Sequence, residues 1–539
     1  MKNLLFLLIL VLIFNCKPKT KNDDVILEVN QATIGKHLER LSSDEFMGRM
    51  PFTEGEVKTV NYLKDEFSKL GLEPGNGKSF YQDVPLIEIT SSVSDKMIIS
   101  GRNGDFNLSY FDDFVASTTN PLEEVNLKNS ELVFAGYGIV APEYGWNDYE
   151  GIDWKGKTAV VLVNDPGFKS GDSTLFKGNE MTYYGRWTYK YEEAGRQGAA
   201  GVIIIHETIP ASYGWNVIQS SNTGPQLNLS SNTPVTDIQG WITYDSANKL
   251  FEASNTEIKD YKKLAGNKDF RPVPLGLKAS VKIRNTIKRD ISKNVIAILP
   301  GTDLKDEYII YSAHWDHFGI GKPVNGDSIY NGAADNASGT AALLAIAETF
   351  KKGIVPKRSL VFIAVTAEEQ GLLGSAYYAE HPIFSPNKTV ANINMDGVLS
   401  PGRMKDLTII SYGHSEMDDY AKVAAENQGR LAIKNPTPEK GNFFRSDHFN
   451  FAKIGIPPLY AKGLFEHEEK GIEYAKKMED DYRKNRYHQP SDEYYQGLDL
   501  SGIQMDLQLY YEVGLRLANE SYYPKWHDTS EFYSARGTK

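Results

Sequence analysis

A single cysteine in 539 residues excludes a disulfide framework and any zinc site built on thiolates. Positive charge is not in surplus either. The 59 Lys and Arg residues stand against 70 Asp and Glu, a formal charge of −11, so no global basic field recruits nucleic acid. Long hydrophobic runs are missing: no apolar stretch reaches the roughly 18 residues that a membrane-spanning helix needs. No internal repeat is evident, and low complexity is confined to a short polar stretch near the N-terminus. What is present, with 41% hydrophobic and 24% charged residues, is a globular chain long enough for two or more domains with cores of their own. Partners are therefore to be sought at a site and not in the overall charge.

The N-terminus carries one charge, Lys2, followed by an apolar run over residues 4–14. That run is too short to cross a bilayer and matches the apolar region of a secretory signal. Cys16 follows directly, ahead of the polar residues 17–24. The arrangement resembles the lipobox of bacterial lipoproteins, with Asn15 where a smaller residue is usual. The resemblance implies removal of residues 1–15 and lipid attachment at Cys16. It also implies a cell-envelope location, on the periplasmic or cell-surface side of a bacterial membrane. Two or more acyl chains, at about 0.8 kcal/mol per buried CH₂, hold such a protein stably.

Apolar residues recur at three- and four-residue steps through Ile34, Leu38 and Leu41, then through Val57, Val60, Leu63, Phe67 and Leu70. This spacing predicts helices, the last of them stopped by Gly71. Short β-branched runs at 131–140, 158–164, 201–206 and 241–244, with a helical stretch at 183–197, predict a separate α/β or β-rich unit. Ala135-Gly136-Tyr137-Gly138, Gly156-Lys157 and the run 194–201 resemble the protease-associated domain inserted into many exported peptidases. From residue 294 onward, strands at 294–299, 307–313, 359–366, 391–395 and 407–410 come with a helix at 337–351, the signature of an α/β sheet covered by helices. The chain thus divides into a signal (1–15), a tether (16–27), a main domain in two pieces (28–111 and 280–525), an insert (112–279) and a tail (526–539).

Three strands of the main domain run out into a potential metal ligand: His314, the pair Glu368-Glu369, and Asp396. Ligands collect at the carboxyl ends of strands in open α/β sheets, so these groups are expected in one crevice. Asp335 lies in the small-residue loop 332–339, which lets the backbone pass close to whatever Asp335 binds. Taken singly, His314 reads as a hydrogen-bonded strand end, Glu368-Glu369 as a solvated pair and Asp396 as a turn cap. Together they would place several unpaired charges at interior strand ends, at several kcal/mol per ion, a cost that bound metal removes.

The stretches His314-Trp315-Asp316-His317, Gly332-Ala333-Ala334-Asp335-Asn336, Ala367-Glu368-Glu369-Gln370-Gly371, Asn394-Met395-Asp396 and Tyr487-His488-Gln489-Pro490 resemble the zinc aminopeptidases of metallopeptidase family 28. Steps of 21, 34, 27 and 92 residues separate His314, Asp335, Glu369, Asp396 and His488, in the family's order. Ser446-Asp447-His448 adds a further match. The resemblance implies a zinc-exopeptidase α/β fold with a mixed central sheet flanked by helices, and two Zn²⁺ per chain. His314 and Asp396 would hold one ion, Glu369 and His488 the other, with Asp335 bridging. Glu368 would be the general base, Asp316 the acceptor of the spare His314 proton, and Tyr487 an oxyanion donor. A cis peptide between Asp335 and Asn336 is implied too.

The activity implied is removal of N-terminal residues from peptides. Carboxypeptidase action by the same centre is the second reading. A glutaminyl cyclase is disfavoured because it uses one metal, and a receptor-like binding protein on an inactive fold is disfavoured because no ligand position is lost. His317, His448 and Arg445 fall in matched stretches without a ligand role and are expected to line the pocket or orient the ligands.

Overall fold

The structure, a computed structural model, describes residues 26–230 and 235–536. The signal, 1–15, and Cys16 lie outside the described residues. The N-terminal periodicity becomes two helices, Gln31–Leu41 and Glu54–Lys69. The Asn30 side chain caps the first by accepting a hydrogen bond from the Ala32 N–H. Gly71, just past the second, takes a φ of +75°, which suits glycine.

Four strands, Pro458–Leu459, Thr389–Asn394, Leu304–His314 and Arg358–Val365, lie side by side in that order and run parallel. The end of the long strand Val273–Leu299 closes the row antiparallel to Arg358–Val365, so the sheet is mixed. Alternate side chains take opposite faces, as the two-residue strand period requires. Ile309, Tyr311, Ala313, Leu360 and Phe362 pack under the N-terminal helices and the helices Ser338–Lys352 and Ser501–Asn519. Ile310, Val361, Ile363 and Val365 face a second cluster with Tyr378, Phe451 and Ile456. The parallel register sets His314 opposite Val365 and Ser312 opposite Asn394. That register delivers His314, Glu368 and Asp396 to one edge of the sheet.

Helix Ser338–Lys352 begins hard against that edge, where a Cβ on Gly339 would stand 2.1 Å from the Met395 carbonyl oxygen. Gly339→Ala is therefore expected to destabilise the fold by about 1–3 kcal/mol. A thermal melt checks this; an unchanged Tm would show that the helix stands off the strand.

The strand Val273–Leu299 is 27 residues long, and its first half belongs to another layer. There it pairs with Glu124–Phe134, which continues in parallel to Lys157–Leu162, Gly201–Ile205 and Ile238–Ile242. The helix read at 183–197 forms as Trp187–Arg196, preceded by a short turn of 3₁₀-helix at Tyr183–Gly185. Phe134, Val160, Ile203 and Phe251 build a core on one face of this sheet, and Val133, Val161, Ile204 and Trp241 build another on the opposite face. The first of these cores also takes in Met97, Ile99 and Leu108, and on the far side Val281 and Ile283. The packed unit thus extends past both ends of the 112–279 span. Composition could not locate its seam, because a continuous strand crosses it without a turn. Among the described residues no helix is long and apolar enough to cross a membrane.

Candidate metal centre

His314, the last residue of its strand, is fully buried, and its Nε2 has no hydrogen-bond partner. Two carboxylate oxygens face that nitrogen: Asp335 Oδ1 at 3.3 Å and Asp396 Oδ1 at 3.4 Å. The other oxygen of Asp335, Oδ2, lies 3.2 Å from His488 Nε2, which stands 3.3 Å from Glu369 Oε2. One aspartate therefore faces two imidazole–carboxylate pairs, one with each oxygen. Ligand atoms around a tetrahedral zinc with bonds of 2.0–2.1 Å stand about 3.3–3.4 Å apart, so both halves have the spacing of a metal site. Their nitrogen and oxygen donors suit zinc. The five residues implied by the sequence resemblance are brought together, and the Asp335–Asn336 peptide is cis.

Glu368 joins this group on the His314 side, its Oε2 4.0 Å from His314 Nε2. Burial pushes the Glu368 carboxyl well above the usual range, His314 opposes the shift, and the nearby Asp396, Asp447 and Asp335 add to it. Burial, then Asp335 and Glu368, push Glu369 up likewise. Against its own burial, Asp335 is held well below the usual range by His314 and His488. So many carboxylates in one buried crevice repel each other, and divalent cations relieve that repulsion.

The surroundings correct one expectation and supply residues that sequence reasoning did not single out. Asp316 does not take the His314 proton through its carboxylate, which is 3.7 Å from Nδ1; its backbone oxygen is nearer, at 3.2 Å. The Asp316 carboxylate instead accepts hydrogen bonds from the Glu368 and Glu369 N–H groups, at 3.0 and 3.3 Å, and so fixes the turn that carries both. His317 Nδ1 lies 2.6 Å from Glu369 Oε1 and orients that carboxylate. The Tyr487 ring stacks on His488, with centroids 3.7 Å apart. His448 is buried beside the site with neither ring nitrogen hydrogen-bonded.

Asp492 accepts hydrogen bonds from the Ala334 and Asp335 N–H groups at 3.1 Å, holding the backbone beneath Asp335. Arg49, 1% exposed, donates to the carbonyls of Trp315, Leu41, Asn331 and Gly332 and so ties the segments next to His314 and Asp335 to the N-terminal helices. Asp492 stands two residues beyond the Tyr487–Pro490 stretch, and its acidic type is the only signal it gives. Arg49 gave none, since three of its four carbonyl partners lie 266 to 283 residues away.

A mixed sheet whose parallel strands end in a two-lobed histidine–carboxylate centre defines a metal-dependent enzyme of α/β class. Residues 294–511 match the model of Peptidase family M28. The mouse protein named aminopeptidase NAALADL1 is 36% identical over 129 residues, 23% of this chain and 16% of that protein. The Arabidopsis thaliana protein named probable glutamate carboxypeptidase LAMP1 is 31% identical over 140 residues, 25% of this chain and 18% of that protein. The chain thus spans less than two-thirds of these relatives. The solved aminopeptidase from Aneurinibacillus sp. strain AM-1 aligns at 20% identity with a TM-score of 0.49, over 92% of this chain and 96% of that one.

Proposed function

We propose that the chain is an exported di-zinc aminopeptidase, anchored through lipid on Cys16, that removes N-terminal residues from peptides. The observation that carries the di-zinc reading is the division of Asp335, with one oxygen toward His314 and Asp396 and the other toward His488 and Glu369. In this reading His314 and Asp396 would hold one ion and Glu369 and His488 the other, with Asp335 shared between the two. Zinc bound there would supply a Lewis acid that polarises the scissile carbonyl and acidifies water.

The chain's own groups then do the following. Glu368, buried and raised in pKa, takes the proton of the attacking water and returns it to the leaving amine, which it can do because it holds no ligand position. Asp316 fixes Glu368 and Glu369 through their backbone N–H groups, and His317 holds Glu369 in line. Tyr487, stacked on the His488 ring, is read as the donor of a hydrogen bond to the developing oxyanion. The unit strung on the long strand is read as a protease-associated domain.

Peptides blocked at one end test which end is read. Free-amine peptides with amidated C-termini are expected to be cleaved, and N-acetylated peptides with free C-termini are expected to resist. The opposite pattern would make the chain a carboxypeptidase.

A further inference from the structure

Three parallel strands of the inserted unit, Lys157–Leu162, Gly201–Ile205 and Ile238–Ile242, end together at a cavity of about 630 Å³ that shares no residue with the metal centre. Open parallel sheets collect ligands at the carboxyl ends of their strands, and this volume lies in the range of small-molecule sites. The side chains of Tyr137, Phe168, Trp215 and Tyr244 give the cavity aromatic walls. The Trp215 indole is fixed by donating to the Phe111 carbonyl at 2.9 Å, and its ring meets that of His206 edge-on with centroids 5.5 Å apart.

His206, the residue after the second of these strands, lines the same cavity and is 5% exposed. Its Nε2 donates to the Tyr213 carbonyl at 3.0 Å, which leaves Nδ1 as an acceptor with no partner among the described residues. Burial holds the ring below the usual histidine pKa, so it is uncharged at neutral pH. Most charges around the cavity are already answered. Asp165 accepts from the Gly167 N–H and from the N–H and hydroxyl of Thr182, and Glu207 pairs with Lys262 at 2.6 Å. Lys169 and Asp245, both exposed, have no ion-pair partner among the described residues. The cavity therefore offers one free cation, one free anion and one buried acceptor.

Each of these groups calls for a different part of one ligand. Aromatic walls take a flat ring, an unpaired buried acceptor takes an N–H or O–H, and charges of opposite sign take a carboxylate and an ammonium. We infer that the cavity binds a free amino acid whose aromatic ring carries a donor, tryptophan or tyrosine, with that donor on His206, the carboxylate on Lys169 and the ammonium on Asp245. Binding does not depend on the peptidase reading; that such amino acids are products of the chain's own reaction does rest on it.

Titration calorimetry on the full chain with zinc tests this. L-tryptophan is expected to bind with a Kd on the order of 0.1–1 mM, the scale for a ligand of its size. L-alanine, which lacks the ring, and N-acetyltryptophanamide, which lacks both charges, should each bind at least about tenfold more weakly. L-phenylalanine should bind about tenfold more weakly than L-tyrosine, because it leaves His206 Nδ1 unpaired, and His206→Leu should erase that difference. The exposed substitutions Lys169→Gln and Asp245→Asn should each weaken L-tryptophan by about tenfold without disturbing the fold. No binding of L-tryptophan up to about 10 mM, or equal binding of N-acetyltryptophanamide, would overturn the inference. Equal binding of tyrosine and phenylalanine by wild type would overturn it too, as would unchanged affinity in either exposed variant, which would place the ligand elsewhere. The heat is read without turnover, so a failure of the peptide panel above would leave this result standing.

Discussion

Glu368→Gln is expected to lower kcat on aminoacyl substrates by on the order of 10²–10⁴-fold while zinc content stays at the wild-type level. The substitution keeps the shape and burial of the side chain and removes only its ability to take a proton. Glu368 is 4.0 Å from His314 Nε2, the outer member of the group facing that nitrogen, whereas Asp335 and Asp396 approach to 3.3 and 3.4 Å. Loss of the carboxylate should therefore spare the metal pairs. Its backbone N–H bond to Asp316 is untouched by the change, so the turn should persist. Steady-state kinetics with metal analysis on the same sample read both quantities. Turnover near wild type would remove Glu368 from the proton transfer, and loss of zinc would make it a ligand.

Asp335→Ala should have the broader effect, since one side chain serves both halves of the centre. Losing a partner that merely orients a ligand costs about 10–100-fold in metal affinity. Losing a ligand shared by two ions should cost more at each, and it leaves His314 and His488 facing Asp396 and Glu369 without the carboxylate between them. The variant is expected to purify with less than one zinc and without measurable turnover. His314→Ala, by contrast, removes a ligand from one half only and should keep one ion. If Asp335→Ala retained both ions, the bridging role would be wrong.

The parts of this site that follow local rules were legible in the sequence. Strand-length apolar runs ending in His314, Glu368 and Asp396 located three residues of the centre, because in parallel strands the carboxyl ends share an edge. The small-residue loop pointed to the close backbone approach now seen at Gly332 and Gly339, where added Cβ atoms would meet carbonyl oxygens at 2.2 and 2.1 Å. Contacts across long sequence separations left no periodic trace. Arg49 serves loops 266 to 283 residues away, and Asp492 reaches back 158 residues to the Ala334 N–H. The choice at Asp316 between backbone and carboxylate oxygen depends on how the strand end turns, and residue type alone does not specify that turn. No turn or composition shift marks the seam near residue 280, because Val273–Leu299 passes through it as one uninterrupted strand.

The most direct test of the account is a zinc-edge anomalous difference map from crystals of the zinc-loaded protein. Two peaks are expected, one among His314, Asp396 and Asp335 and the other among Glu369, His488 and Asp335. A single peak, or zinc bound away from Asp335, would contradict it.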